Sequence, residues 1–251
     1  MKKLRLPLAI ALALALSAVC TVAVAEVSWR LGLFLGQRSM DLEVPNDLDD
    51  VETQDQIGVT ASFGEIDWPV MFAIDVMTSS GESSTTDTYS YAYAYMGYIY
   101  TVNYVYSVDF DFNTTEVDVG VRWFMFQKKR FVPYFGGGAS VVRFDGSVGR
   151  TQQSTITEVP DFFLANSDTL IDGDSSDFGF WLNAGVNWQI GKRFTLGLDT
   201  RYTAGAEGRV KTTQAGADAG LPVGERELDS GGFQAGIVVG FRLGDTGADE
   251  E

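Results

Sequence analysis

Residues 178–203 read FGFWLNAGVNWQIGKRFTLGLDTRYT, and their alternation decides the fold. Phe178, Phe180, Leu182, Ala184, Val186 and Trp188 fall on one side of an extended chain, because side chains in a strand alternate between faces. Gly179, Trp181, Asn183, Gly185 and Asn187 fall on the other. Gly191-Lys192 then turns the chain, and Phe194, Leu196, Leu198 and Tyr202 resume the apolar side against Thr195, Gly197, Asp199, Arg201 and Thr203. Each half is about as long as a tilted transmembrane strand, roughly 9–11 residues, whereas soluble strands run about 5–6.

Six more segments carry the same pattern. Their apolar stripes run Val27–Leu35, Ile57–Phe63, Val70–Val76, Val117–Trp123, Phe135–Val141 and Phe233–Leu243, giving eight in all. The segment through Gly136-Gly137-Gly138 is the weakest. Connections alternate between long (37–54, 79–115, 145–176, 205–231) and short (65–69, 127–131, 191–192). Short turns at one end and long loops at the other are the layout of an outer-membrane barrel with periplasmic termini.

The same alternation would suit a soluble barrel with its apolar stripe inside. The second stripe decides against that. It is mainly Gly, Ser, Thr and Asn, while beyond the N-terminal segment only Lys128, Lys129, Lys192 and Lys211 supply lysine. Small residues suit the narrow interior of an eight-strand ring, so the apolar stripe faces lipid. Trp29, Trp123, Trp188, Tyr202 and Phe241, with Phe194 and Phe233, lie toward segment ends, where aromatic girdles sit. Closure also pairs every backbone N–H and C=O without a free edge. The expected fold is therefore all-β, a closed antiparallel up-and-down transmembrane β-barrel of eight strands. A ten-strand ring, using the Tyr-rich stretch as two more spanning strands, has the same parity.

Residues 1–25 read as an export address: Lys2, Lys3 and Arg5, then an apolar run Leu6–Val19, then Ala23-Val24-Ala25. The expected organisation is a cleaved signal at 1–25, a barrel at 26–243 and an acidic tail at 244–251. The lone Cys20 leaves with the signal, so no disulfide is expected. A formal charge of −16 excludes a nucleic-acid role, which needs a basic surface.

On these segments the chain resembles the small eight-stranded outer-membrane barrels, namely the OmpA transmembrane domain, OmpX and OmpW. Pro133-Tyr134-Phe135-Gly136-Gly137-Gly138-Ala139 is similar to a strand start common in that family, and Phe233–Leu243 to its terminal strand. The resemblance implies an integral, multi-pass protein of the bacterial outer membrane, inserted by the barrel-assembly machinery. That machinery is thought to read a terminal aromatic. Here Gly244–Glu251 follows Leu243, so the signal must be internal. Barrel enzymes of the outer membrane rely, as families, on a His paired with Ser or Asp. This chain has no His, so no enzyme and no cofactor are expected.

The inward stripe carries Arg30, Asp75, Glu116, Asp118, Arg122, Asp199, Arg201 and Arg242. Charges in a narrow lumen need partners. Equal numbers of each sign predict a paired network, acting either as a static plug or as the gate of a narrow porin-like channel for small solutes. Acidic residues cluster at Asp41, Glu43, Asp47, Asp49, Asp50, Glu52 and Asp55, and again at Asp168, Asp172, Asp174 and Asp177. They read as solvated loops, with no EF-hand spacing and no metal site expected. Tyr89, Tyr91, Tyr93, Tyr95, Tyr98 and Tyr100 flank Met96-Gly97, which predicts an extracellular hairpin with either a ligand-binding or a self-packing tyrosine face. Expected partners are outer-membrane lipid, lipopolysaccharide and an extracellular ligand, for a monomeric protein with a structural or surface-interaction role.

Overall fold

The computed structural model describes residues 27–40, 53–65, 68–127 and 129–244, apart from the side chains of 160–162. The expected signal segment, the acidic residues Asp41 to Glu52, Lys128 and the tail beyond Gly244 lie outside the described residues. Among the described residues ten strands and one short helix follow in order: β1 Val27–Ser39, β2 Thr53–Glu65, β3 Val70–Tyr95, β4 Tyr98–Phe124, β5 Phe131–Ile156, β6 Val159–Ile190, β7 Phe194–Ala204, β8 Glu207–Thr212, α1 Gln214–Asp218, β9 Glu225–Asp229 and β10 Gly232–Leu243.

Eight strands close a ring. Each of β1 to β6 pairs antiparallel with the next, β7 pairs with β10, and β10 returns to β1. The remaining two, β8 and β9, form a hairpin that touches the ring through Ile171↔Thr212 and Asp172↔Lys211. The Tyr-rich stretch therefore adds no spanning strands: it continues β3 and β4 from Thr78↔Thr115 to Tyr95↔Tyr98.

The stripes fall as their chemistry requires. Phe72, Leu182 and Leu198 are 62 %, 67 % and 60 % exposed on the outer wall. Their strand neighbours Met71, Ala73, Trp181, Asp199 and Arg201 are buried inside. In water such a wall would be an enormous apolar patch; in hydrocarbon it is the wetted surface.

The weak fifth segment has a physical reason. Gly120 of β4 faces Gly138 of β5, and a Cβ on either would run into the backbone of the other strand. Two strands pressed this close can bend sharply around the small ring, and Trp181, the Cα partner of Gly138, fills the inside of the bend.

Strand lengths show a second layer of design. β1, β2, β7 and β10 have 11–13 residues, whereas β3 to β6 have 26–32. β2 leaves β3 after Asp55↔Ser80, yet β3 runs on from Gly81 to Tyr95 paired with β4 alone. At about 3.3 Å per residue this is about 50 Å of further strand. The connections read from sequence as loops at 79–115 and 145–176 are thus mostly β-ladder, forming a four-stranded blade continuous with one side of the barrel. Met96 (φ 50) and Gly97 (φ 83) close the β3–β4 hairpin, both in the left-handed region that a two-residue primed turn demands.

The fourth long connection also has structure. Leu170 bulges between the β5 partners Val148 and Gly149, and its carbonyl accepts the Thr213 N–H at 3.0 Å. Thr213 then caps α1, its hydroxyl accepting from Gly216 N at 3.1 Å.

Candidate functional site

Inside the ring Asp75 of β3 and Asp118 of β4 are Cα partners, and both are fully buried. Two carboxylates directly opposite repel unless a cation joins them. Arg201 of β7 does so from the far wall: one amino group donates to Asp75 Oδ2 at 2.5 Å and the other to Asp118 Oδ2. β3 and β7 lie four strands apart in a ring of eight, so this bridge spans the full lumen. Arg122 of β4 donates to the same Asp75 oxygen and to Ser62 Oγ at 3.1 Å. The guanidinium groups of Arg122 and Arg201 sit over Trp181 at 5.6 and 5.1 Å, adding cation–π attraction.

A second knot lies one step along β4. Glu116 accepts from Arg38 at 3.1 Å, Thr203 Oγ1 at 2.5 Å, Gln234 Nε2 at 2.8 Å and Ser140 Oγ at 3.4 Å, drawing together β1, β7, β10 and β5. Arg38 also donates to Thr114 Oγ1 at 3.2 Å and to the Ser230 carbonyl. Asp199 accepts from the Tyr134 hydroxyl and from Asn183 Nδ2 at 2.9 Å. Arg30 donates to Gln127 Oε1 at 3.1 Å and caps the Phe124 ring at 4.0 Å.

All eight charges read from the sequence are thus buried inside the ring, but they do not form one network. Five are joined in ion pairs: Asp75, Asp118, Arg122 and Arg201 with each other, and Glu116 with Arg38. Arg30, Asp199 and Arg242 stand apart. The expected balance of four and four is also corrected. Arg38 is fully buried, giving five inward arginines against four carboxylates among the described residues. The first segment's apolar stripe stops at Leu35, but its inward stripe continues through Phe34 and Gly36 to Arg38. Gln54 and Gln234, both fully buried, extend the same polar layer.

The lumen is not polar throughout. Met71, Phe124, Val132 and Tyr134 pack at the end with the short turns. Met40, Phe112, Phe144, Val148 and Val210 pack above the Glu116 knot, where the β8–β9 hairpin contributes Val210. The ion-paired layer of Asp75, Asp118 and Glu116 therefore lies between these two apolar clusters, with Phe34, Met77 and Val238 packed beside it and Arg30 and Arg242 beside the short-turn cluster.

On the outer wall, Trp29, Trp123, Trp188 and Phe241 all lie at the end with the short turns. Neighbouring rings touch there: Trp29 with Phe63 at 4.9 Å, Trp123 with Phe135 at 5.0 Å, Phe131 with Trp188 at 5.4 Å, and Phe194 with Phe241 at 5.3 Å. Tyr202 lies at the opposite end, as the Cα partner of Phe233. From Phe233 to Phe241 the strand climbs about 27 Å, or roughly 20 Å along the axis at the usual tilt, close to the ~25 Å apolar band of such barrels.

The blade gathers the tyrosines on one face. Tyr89 stacks on Tyr104 at 5.1 Å, Tyr91 on Tyr104 at 5.7 Å and Tyr93 on Tyr100 at 5.4 Å, with Tyr95 opposite Tyr98 at the tip. Self-packing is therefore present, yet Tyr89, Tyr91, Tyr93, Tyr95 and Tyr98 all remain exposed. The hydrogen bond between the Tyr91 and Tyr104 hydroxyls raises the ionisation of Tyr104 above the usual phenol range. At the β5–β6 tip, Glu158 accepts the Thr101 N–H at 2.8 Å, which holds its carboxyl below the usual carboxylate range. Of the second acidic cluster, Asp168 and Asp174 pair with Arg150 and Arg143 across the β5–β6 ladder. Among the described residues no group of three or more acidic or thiol side chains gathers as metal ligands do.

A closed ring of eight antiparallel strands, apolar outside and charge-paired within, defines the class of integral outer-membrane β-barrels. The comparisons agree: the profile of the outer membrane protein beta-barrel domain matches residues 9–241, and the chain belongs to that family. It is a multi-pass protein of the bacterial outer membrane. No curated protein matches the sequence. Among solved structures, the outer membrane protein OprG of Pseudomonas aeruginosa is similar at 11 % identity and a TM-score of 0.51, covering 88 % of this chain and 98 % of that one. Neisserial surface protein A is similar at 11 % identity, TM-score 0.41, covering 87 % and 97 %. Ail, the attachment invasion locus protein of Yersinia pestis, is similar at 10 % identity, TM-score 0.38, covering 87 % and 98 %.

Proposed function

We propose that this chain is a plugged outer-membrane anchor that holds a tyrosine-faced β-blade outside the cell for surface interaction. The observation that carries the reading is the Arg201 bridge to Asp75, which joins opposite walls of the ring with Trp181 fully buried beside it. A lumen filled in this way favours register and rigidity over transport. The ionic chain is then a static plug, and the two aromatic belts hold the barrel at the lipid interfaces. Residues 1–25 are removed on export, and the barrel-assembly machinery inserts the barrel. The barrel works as a monomer.

The blade supplies the contact surface. Tyrosine offers a large rigid area and a hydrogen-bonding tip at low entropic cost. The exposed rings from Tyr89 to Tyr98 therefore suit an extracellular ligand, while the carboxylates nearer the barrel face lipopolysaccharide. Catalysis is not part of this reading, since no His is present and the inward carboxylates Asp75, Glu116 and Asp118 are held by arginines.

Planar-bilayer recording tests the plug against the narrow-channel alternative. The plug predicts no steady conductance from the wild type and a new one when Arg201 or Arg122 is shortened. A steady wild-type pore, altered by the same substitutions, supports the channel. Whole-cell binding to surfaces, compared between the wild type and a Tyr89→Ser/Tyr91→Ser/Tyr93→Ser variant, tests the blade; equal binding removes the surface role from these rings.

A further inference from the structure

Among the described residues the lumen's ionic groups divide into three sets. Arg122, Arg201, Asp75 and Asp118 balance each other, and Arg38 balances Glu116. Arg30, Arg242 and Asp199 remain, one positive charge in excess.

Arg30 and Arg242 are direct Cα partners in the β1–β10 ladder, and both point inward. They are 8 % and 7 % exposed. Among the described residues no carboxylate lies within ion-pair distance of either. Arg30 uses one amino group on Gln127; its Nε and Nη1, together with Arg242 Nε, are buried without an acceptor. These side chains line a cavity of about 30 Å³ with Thr60, Thr195, Asn187 and Asp199. Asp199 has Oδ2 tied to Tyr134 and Asn183, while its Oδ1 is buried without a donor.

Like charges directly opposite on one face of a sheet destabilise it, and burial raises the cost. Water fits the space, since a single water needs roughly 10–15 Å³. Water would satisfy the N–H groups but leave two cations with only one carboxylate, Asp199, on the same wall. A monovalent anion satisfies the same groups and brings the buried set to neutrality. The narrow space favours a small anion.

We propose that the periplasmic half of the lumen is a binding site for one small monovalent anion of halide type, held between Arg30 and Arg242. The hydroxyls of Thr60 and Thr195 supply further donors, and Asp199 on the same wall keeps a second anion out. The site does not depend on the role of the blade or on whether the lumen conducts.

The test uses the full exported chain folded in detergent at fixed ionic strength, with bromide exchanged for gluconate, an anion too large to enter. Bromide is expected to raise the temperature of the heat-modifiable gel transition saturably, and to show excess ⁸¹Br line broadening that gluconate cannot displace. Arg242→Gln should lose at least fivefold of that broadening, while Arg143→Gln, at an exposed pair, keeps it. Arg30→Gln is the second variant should the first not fold. Identical transitions in bromide and gluconate, with no excess broadening in the wild type, overturn the proposal whatever the variants do. Broadening that persists undiminished in a folded Arg242→Gln or Arg30→Gln barrel overturns it as well.

Discussion

Replacing Arg201 with Gln removes the one cation that joins Asp75 to Asp118. Asp75 keeps Arg122, but Asp118 loses its only ion-pair partner among the described residues while remaining fully buried, and its second oxygen already lacks a donor. Stranding a buried charge in this way costs about 3–5 kcal/mol, or roughly two to three and a half decades in the unfolding equilibrium. Equilibrium urea unfolding from lipid vesicles, followed by tryptophan fluorescence and gel mobility, measures it. The double variant Asp118→Asn/Arg201→Gln removes the stranded charge as well and should recover roughly 1–3 kcal/mol, a coupling typical of residues in one network. Arg143→Gln, whose pair with Asp174 is 60 % exposed on both sides, should cost under about 1 kcal/mol. An Arg201→Gln barrel within about 1 kcal/mol of wild type, or a double variant no better than the single one, refutes the bridge as a structural element.

Glu158 titrates at the blade tip. Its folded-state ionisation is depressed, so the stability it contributes is fully present above about pH 4.3, its usual value, and is lost as pH falls through the folded value. Hydrogen exchange at Thr101 should speed up on acidification in the wild type and be pH-independent, beyond intrinsic exchange, in Glu158→Gln. Gly120→Val places side-chain atoms where the Gly137-Gly138 backbone runs, and is expected to abolish the heat-modifiable folded form on gels. Met96→Asn suits the left-handed turn position better than Met does, and should slow exchange at the Tyr95 and Tyr98 amides by up to about tenfold, equivalent to about 1.4 kcal/mol. Iodination of intact cells should label Tyr91 and Tyr95, whereas an impermeant amine reagent should leave Lys192, in the β6–β7 turn, unmodified until the membrane is opened.

The spanning strands were legible because lipid on one side and a filled lumen on the other impose strict alternation, as in Phe178–Trp188. The upper parts of β3 to β6 were not. Above the bilayer most of both faces meets water, so Ser80–Thr88 and 145–176 carry no continuous apolar stripe and read as loops, although Val148 and Leu170 are buried. The Tyr89–Tyr106 stretch survived as a hairpin because aromatic rings still mark one face there. In the site, residue type and face were readable, and partners were not. Asp75 and Arg201 are 126 residues apart, and their meeting depends on ring closure and shear that no local pattern encodes. Arg38 was lost to a boundary: the apolar half of the alternation fades after Leu35 while the inward half continues.

The central claim is that the apolar stripe meets acyl chains and the charged stripe faces the axis. Single-tryptophan barrels in vesicles of brominated lipid test it directly. A protein keeping only Trp123 or only Trp188, 47 % and 42 % exposed on the outer wall, should be strongly quenched by bromines set near the headgroup, and one keeping only the fully buried Trp181 should not. Strong lipid quenching of Trp181 with Trp123 and Trp188 protected would mean that the wall is turned the other way.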